Sequence, residues 1–251
     1  MKKILTVLII ALFLFSCGKK DEDLRTTKPD TKEKGTTDSG TQSSEKPSGQ
    51  SESNADIDEL PFDKNNLPAE IKYTGSIITG KRWKDSNGEN ITIICTTKEK
   101  ETKDKYGESV LNKEIYAYNY ANTSKGFAQL WKMYDFVSEC PFDISLEYKE
   151  NSLSLTDIDK DEIAEITFMY TNDCRSDVSP SGLKLMMYEN KTKYALRGES
   201  RIDLEGEEEG YASIHEGGKY EIDKSFKSAP GGFLDFAKSH WQKYMSEKFD
   251  N

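Results

Sequence analysis

The sequence predicts a mainly β domain of the α+β class, an antiparallel β-meander closed by one C-terminal amphipathic helix. Three observations predict it. Short apolar runs, each bounded by polar or turn residues, recur from Trp83 to Gly198, the pattern of successive short strands. Asn87-Gly88 lies between two such runs and signals a tight hairpin. Beyond Pro230 the apolar residues change to three-to-four spacing, the period of a helix that buries one face.

The chain does not begin with that domain. Lys2 and Lys3 precede Ile4 to Phe15, a run interrupted only by Thr6. The run is too short to span a bilayer, which takes about 20 apolar residues, and has the length of a secretory signal. Leu14-Phe15-Ser16-Cys17 follows and resembles the bacterial lipobox, with Phe15 bulkier than the usual residue. Residues 1–16 are therefore expected to be a lipoprotein signal peptide and Cys17 the lipidated residue. The alternative is an ordinary secretory signal with an incidental cysteine. From Gly18 to Ala55 there is one large aliphatic residue, Leu24, and no aromatic. Such a segment cannot bury enough apolar surface to offset its ordering entropy. Residues 17–55 are expected to form a disordered linker with an end-to-end distance of roughly 35 Å. Lys19-Lys20-Asp21-Glu22-Asp23 resembles the surface-export signal of Bacteroidota lipoproteins, or is a solvated charge run.

Residues 56–251 have the composition of one domain. The charged residues number 35 Lys and Arg against 45 Asp and Glu, net −10. That excess argues against nucleic acid, whose phosphates demand basic patches, and leaves the acyl anchor as the membrane contact.

The elements read in order. Lys81-Arg82-Trp83 and Ile91 to Thr97 form a hairpin around Asn87-Gly88. Ile115 to Tyr120 alternates, and Phe127 to Val137 is a longer run. Ile144 to Tyr148, Leu153 to Leu155, Ile163 to Tyr170, Leu183 to Tyr188 and Lys193 to Gly198 follow, then Lys219 to Ile222. The helix is expected over 230–249, with Pro230 in its first turn and Phe233, Phe236, Ala237, Trp241 and Tyr244 as its apolar stripe.

Three of the four cysteines lie beyond the anchor. Outside the cytoplasm they can oxidise. Cys140 and Cys174 stand at strand ends beside loop residues and make the better pair. Cys95 sits within an apolar strand, which suits a buried free thiol.

Asp157-Ile158-Asp159-Lys160-Asp161-Glu162-Ile163-Ala164-Glu165 is the clearest motif. Asp157, Asp159, Asp161 and Glu165 offer carboxylate oxygens at alternate positions in a loop between two strands, and Ca2+ takes six to eight oxygens. The spacing resembles the calcium loop of integrin-type propeller repeats. Glu162 replaces the glycine that allows the sharp turn there. The alternative is a hairpin of solvated acids.

Cys140-Pro141-Phe142-Asp143, the acidic loop, Cys174-Arg175-Ser176-Asp177-Val178-Ser179-Pro180 and Tyr194-Ala195-Leu196-Arg197-Gly198 occur in that order. Together they resemble a family of Bacteroidota lipoproteins labelled surface polysaccharide biosynthesis proteins. The resemblance implies a role in making or displaying surface polysaccharide at the outer membrane, without a defined reaction. Partners would be the polysaccharide itself or envelope assembly proteins. Arg175, Ser176 and Asp177 are the candidate ligand-binding residues, because a guanidinium fork and a carboxylate suit glycan hydroxyls or carboxylates. The alternative is that they satisfy backbone groups in a turn ending at Pro180.

The enzyme reading is weaker. His215 and His240 are the two histidines, and no Gly-x-Ser-x-Gly elbow supports a serine triad. The residues favour a non-catalytic protein, with an envelope hydrolase acting on glycan or peptide as the alternative. Glu205 to Gly210 is expected to be an exposed loop.

Overall fold

A computed structural model describes residues 57–204 and 214–247. The expected signal peptide, Cys17, the expected linker and the expected Glu205–Gly210 loop lie outside the described residues.

The expected mainly β, antiparallel architecture with one C-terminal helix is what forms. The strands in chain order are β1 (Asp58–Leu60), β2 (Ser76–Asp85), β3 (Gly88–Thr96), β4 (Lys100–Lys103), β5 (Ser109–Thr123), β6 (Gly126–Cys140), β7 (Asp143–Ser145) and β8 (Ser154–Thr156). Then come β9 (Glu165–Thr171), β10 (Asp173–Arg175), β11 (Gly182–Glu189), β12 (Thr192–Glu199), β13 (Arg201–Leu204), β14 (Ile214–Gly217) and β15 (Tyr220–Ile222). A 3-10 turn at Lys224–Ser228 precedes helix α1 (Phe233–Tyr244).

Two sheets dominate. In the first the order is β1-β2-β3-β5-β4, with β6 on the other edge of β5. The second runs β15-β12-β11-β9-β8. Strands β7 and β10 pair with each other, as do β13 and β14.

Each sheet is covered on both faces. Trp83, Ile94, Ile115, Ala117, Trp131 and Met133 of the first sheet meet Ile166, Phe168, Tyr170, Met186 and Tyr188 of the second. The far face of the second sheet packs Met169, Leu185, Met187 and Leu196 against Phe233, Ala237 and Trp241 of α1. The far face of the first places Ile91, Ile93, Cys95 and Tyr118 under Ile71, with Phe62 and Leu67 alongside. This double covering explains why β9 is buried at every position, including Glu165, Thr167 and Thr171.

Turn chemistry fixes the register. Asp85 pairs with Gly88, leaving Ser86-Asn87 as a two-residue turn, and Gly88 takes φ 103°, open to glycine at little cost. Glu189 pairs with Thr192, and the intervening Asn190 takes φ 50°, a conformation asparagine tolerates better than most residues.

The helix is shorter than the expected 230–249. Gly232, with φ 89°, stands at its N-terminal boundary, so Pro230 precedes the helix. At the other end the backbone of residues 201 and 245–247 pairs. Arg201 N–H donates to Met245 O (2.9 Å), and Glu247 N–H donates to Arg201 O (2.8 Å). Once strand-like pairing with β13 captures the chain, the last turn cannot continue. No described helix is long and apolar enough to cross a membrane.

Candidate functional site

The loop from Asp157 to Ala164 joins β8 to β9, as the motif requires. Its shape comes from its own carboxylates. Both oxygens of Asp157 accept backbone N–H groups, from Asp161 (3.1 Å) and Glu162 (3.2 Å), and Asp161 Oδ1 accepts from Ile163 N–H (2.8 Å). Lys160 and Glu162 take φ 63° and 66°. Glu162 thus occupies the left-handed conformation expected of a glycine in a loop of this spacing, at a cost of order 1 kcal/mol.

The loop gathers four predicted carboxylates and one that the sequence did not signal. Asp157, Asp159 and Glu165 offer oxygens within 4.8 Å of one another, and so do Asp159, Asp161 and Glu189. Glu189 ends β11, and its register partner on β9 is Glu165. Two glutamates stand opposite each other across an antiparallel ladder, where like charges are unfavourable. Only the strand register could have revealed Glu189, which lies 24 residues beyond Glu165 in a separate apolar run.

The electrostatics are those of anions without a counter-charge. Among the described residues, no Lys, Arg or His pairs with any of the five. Glu165 has no exposed surface. Thr156 Oγ1 donates to it (2.8 Å), as does Ile158 N–H (3.1 Å to Oε2). Burial, reinforced by Asp159 and Asp157 and only partly opposed by these bonds, pushes its carboxyl up to about 8. Burial first and the neighbouring acids second also raise Asp159 and Glu189. Asp159 Oδ1 and Glu189 Oε1 are buried with no hydrogen-bond donor.

A divalent cation fits this donor set. Hard carboxylate oxygens in excess, two of them unsatisfied, suit Ca2+ better than Mg2+, which demands near-ideal octahedral geometry and holds its waters. Asp159, shared by both carboxylate sets, would be the central ligand.

The other predicted sites resolve differently. Cys140 and Cys174 form the disulfide, and Cys95 is the buried free thiol, its pKa raised to about 12 by burial. Arg175 donates through Nη1 to Ser179 O and through Nη2 to Glu247 Oε2 (2.7 Å). Asp177 Oδ1 accepts from Ser179 N–H (3.0 Å). Asp177 and one branch of Arg175 therefore satisfy backbone groups in a turn ending at Pro180, the alternative left open by the sequence, while the other branch of Arg175 ties the turn to Glu247, and Ser176 lies in the same exposed bend.

The histidines are not poised for catalysis. His240 is buried in α1, its Nε2 2.8 Å from Ser152 O, and burial lowers its pKa to about 4. His215 lies 2.8 Å from Asp203 on the β13–β14 pair, and no described serine hydroxyl bonds to it. Glu165 has the raised pKa of a general acid but no surface through which a substrate could reach it.

Comparison with family models, curated proteins and solved structures finds no match to this chain.

Proposed function

We propose that the chain is a lipid-anchored, non-catalytic protein of the bacterial cell envelope that assists the assembly or display of surface polysaccharide, and that its acidic loop holds Ca2+. The Ser16-Cys17 motif after an apolar run supports the anchor. The ordered resemblance from Cys140 to Gly198 supports the polysaccharide role. One observation carries the metal: five carboxylates converge, and Asp159 and Glu189 each bury an oxygen that no protein donor satisfies. A cation would neutralise the cluster and give those oxygens a partner.

Calorimetric titration tests the metal. Calcium should bind with measurable heat, raise the melting temperature, and lose both effects on chelation or in Asp159→Asn. A hundredfold excess over Kd corresponds to about 2.7 kcal/mol of stabilisation. Absence of heat and an unchanged melting temperature at millimolar calcium would leave the loop as a plain acidic hairpin. For the envelope role, deletion of the gene should alter the lipopolysaccharide or capsule profile.

A further inference from the structure

A second concave feature lies between the two sheets, at the end where the β2–β3 and β11–β12 turns meet. Its volume is about 230 Å³, below the roughly 300–1,000 Å³ of sites for drug-sized ligands. It therefore has room for one small ring rather than an extended chain.

Its walls are aromatic. Trp131 of β6 and Tyr188 of β11 come from opposite sheets and stack, with ring centroids 4.0 Å apart and planes 11° apart. Trp83 completes the apolar lining, and its indole N–H is fixed on Asp85 Oδ2 (2.9 Å).

Its polar groups are amides. Asn119 is 1% exposed. Its Nδ2 donates to Thr92 Oγ1 (3.0 Å), while its Oδ1 is buried with no partner. Asn90 is also buried, and its Nδ2 is committed to Asp85 and Gly88. None of the described hydrogen bonds uses its Oδ1. At the mouth, Asn87 Nδ2 donates to Asn190 Oδ1 (2.9 Å). A buried acceptor without a donor costs about 1–3 kcal/mol, and Asn119 Oδ1 is such an acceptor on a residue that lines the cleft.

The lining carries no free charge. Asp85 is its one acidic side chain, and N–H donors surround that carboxyl group: Asn87 N (2.9 Å), Trp83 Nε1 (2.9 Å), Ala164 N (3.3 Å) and Asn90 Nδ2 (3.3 Å). No Lys or Arg lines the cleft. A charged ligand would lose its hydration without gaining a counter-ion.

We infer that this intersheet cleft binds a neutral pyranose sugar, with the ring beside the Trp131–Tyr188 stack and its hydroxyls bonded to Asn119, Asn90 and Asn190. A pyranose has C–H groups that suit the apolar lining and hydroxyls that donate, which suits Asn119 Oδ1 and Asn90 Oδ1, the two amide oxygens that no described hydrogen bond uses. The inference deepens the polysaccharide reading and rests on it, because it supplies the subsite that such a role needs.

The test titrates the full chain with glucose, galactose, mannose, rhamnose, N-acetylglucosamine and glucuronate, following tryptophan fluorescence and amide chemical shifts. At least one neutral sugar should bind, shifting the Asn119 and Asn190 side-chain amides, and glucuronate should bind at least about tenfold more weakly. Asn119→Leu should weaken binding by about tenfold or more. Asn190→Gly keeps the positive φ of the turn, so the fold should survive, and it should weaken binding several-fold. Three outcomes would each overturn the inference: no response at tens of millimolar sugar, glucuronate binding as well as the neutral sugars, or unchanged affinity in both variants. A failure of the polysaccharide role reads differently, as an unaltered envelope profile on gene deletion while the sugar still binds.

Discussion

Glu165 is the residue at which the acidic loop and the core meet. It opens β9, is wholly buried, and carries a carboxyl raised from 4.5 to about 8. A carboxyl whose folded pKa is raised binds a proton in the native state that the unfolded chain has released. Its contribution to stability is complete below pH 4.5 and is lost as pH rises through about 8. His240, lowered from 6.5 to about 4, acts in the opposite sense but only below its ordinary value. Between pH 6.5 and 8 the Glu165 effect is therefore the one left of the two. Without calcium, denaturant titration should show stability falling by up to about 2 kcal/mol across that window. Glu165→Gln should flatten the fall. Calcium should flatten it too, because the metal prefers the ionised carboxylate. At Glu162 the prediction concerns backbone strain. Glycine adopts φ 66° freely, so Glu162→Gly should raise stability, by up to about 1 kcal/mol, read as an upward shift in melting temperature. A lower melting temperature would show that the glutamate side chain stabilises the loop by more than its backbone costs.

At the scale of elements, apolar periodicity located the strands but not their ends. Ile115 to Tyr120 is legible as alternation, yet β5 runs from Ser109 to Thr123. Its polar ends, Lys113 and Asn122 among them, become strand because β6 lies alongside them, paired from Leu111 to Thr123. Such pairing leaves no local trace in the sequence. The short strand β4 was invisible for the related reason that Lys, Glu and Thr fill it, and such residues form strands chiefly when an edge offers hydrogen bonds; β13, Arg201-Ile202-Asp203-Leu204, has only two apolar residues to mark it. The helix stripe was legible throughout, since Phe233, Ala237 and Trp241 are all wholly buried. Trp241→Ala should cost about 3–5 kcal/mol, measured by denaturant midpoint. The Cys140–Cys174 pair was legible from its position at strand ends. It closes a loop of sequence separation 34, which on the chain-entropy account stabilises the domain by about 3–4 kcal/mol. Reduction, or a Cys140→Ala/Cys174→Ala double variant, should lower stability by about that amount. The candidate metal site was legible in its four loop carboxylates and not in Glu189, which only β9–β11 register brings to them. The intersheet amides were illegible altogether, because Asn87, Asn119 and Asn190 lie on three separate strand pairs.

For the whole molecule, the proposed anchor at Cys17 would decide where the domain works. Metabolic acyl labelling should mark the wild type and not Cys17→Ala, and equal labelling of both would refute lipidation there. The disulfide has a different consequence at this scale. It fastens the end of β6 to β10, one residue beyond β9, so the two large sheets are joined covalently at one end of the sandwich. Trp131 lies nine residues back along β6 from Cys140, about 30 Å at strand rise. At that far end the links include Ser86 N–H to Glu162 O (2.9 Å), Ala164 N–H to Asp85 Oδ2 (3.3 Å) and Asn87 Nδ2 to Asn190 Oδ1 (2.9 Å). Each is worth about 1 kcal/mol net. The sandwich is thus joined by a covalent link at one end and by polar links beside the buried core at the other. Two of those three links run to the acidic loop, so a change in that loop is transmitted directly to the rim of the intersheet cleft.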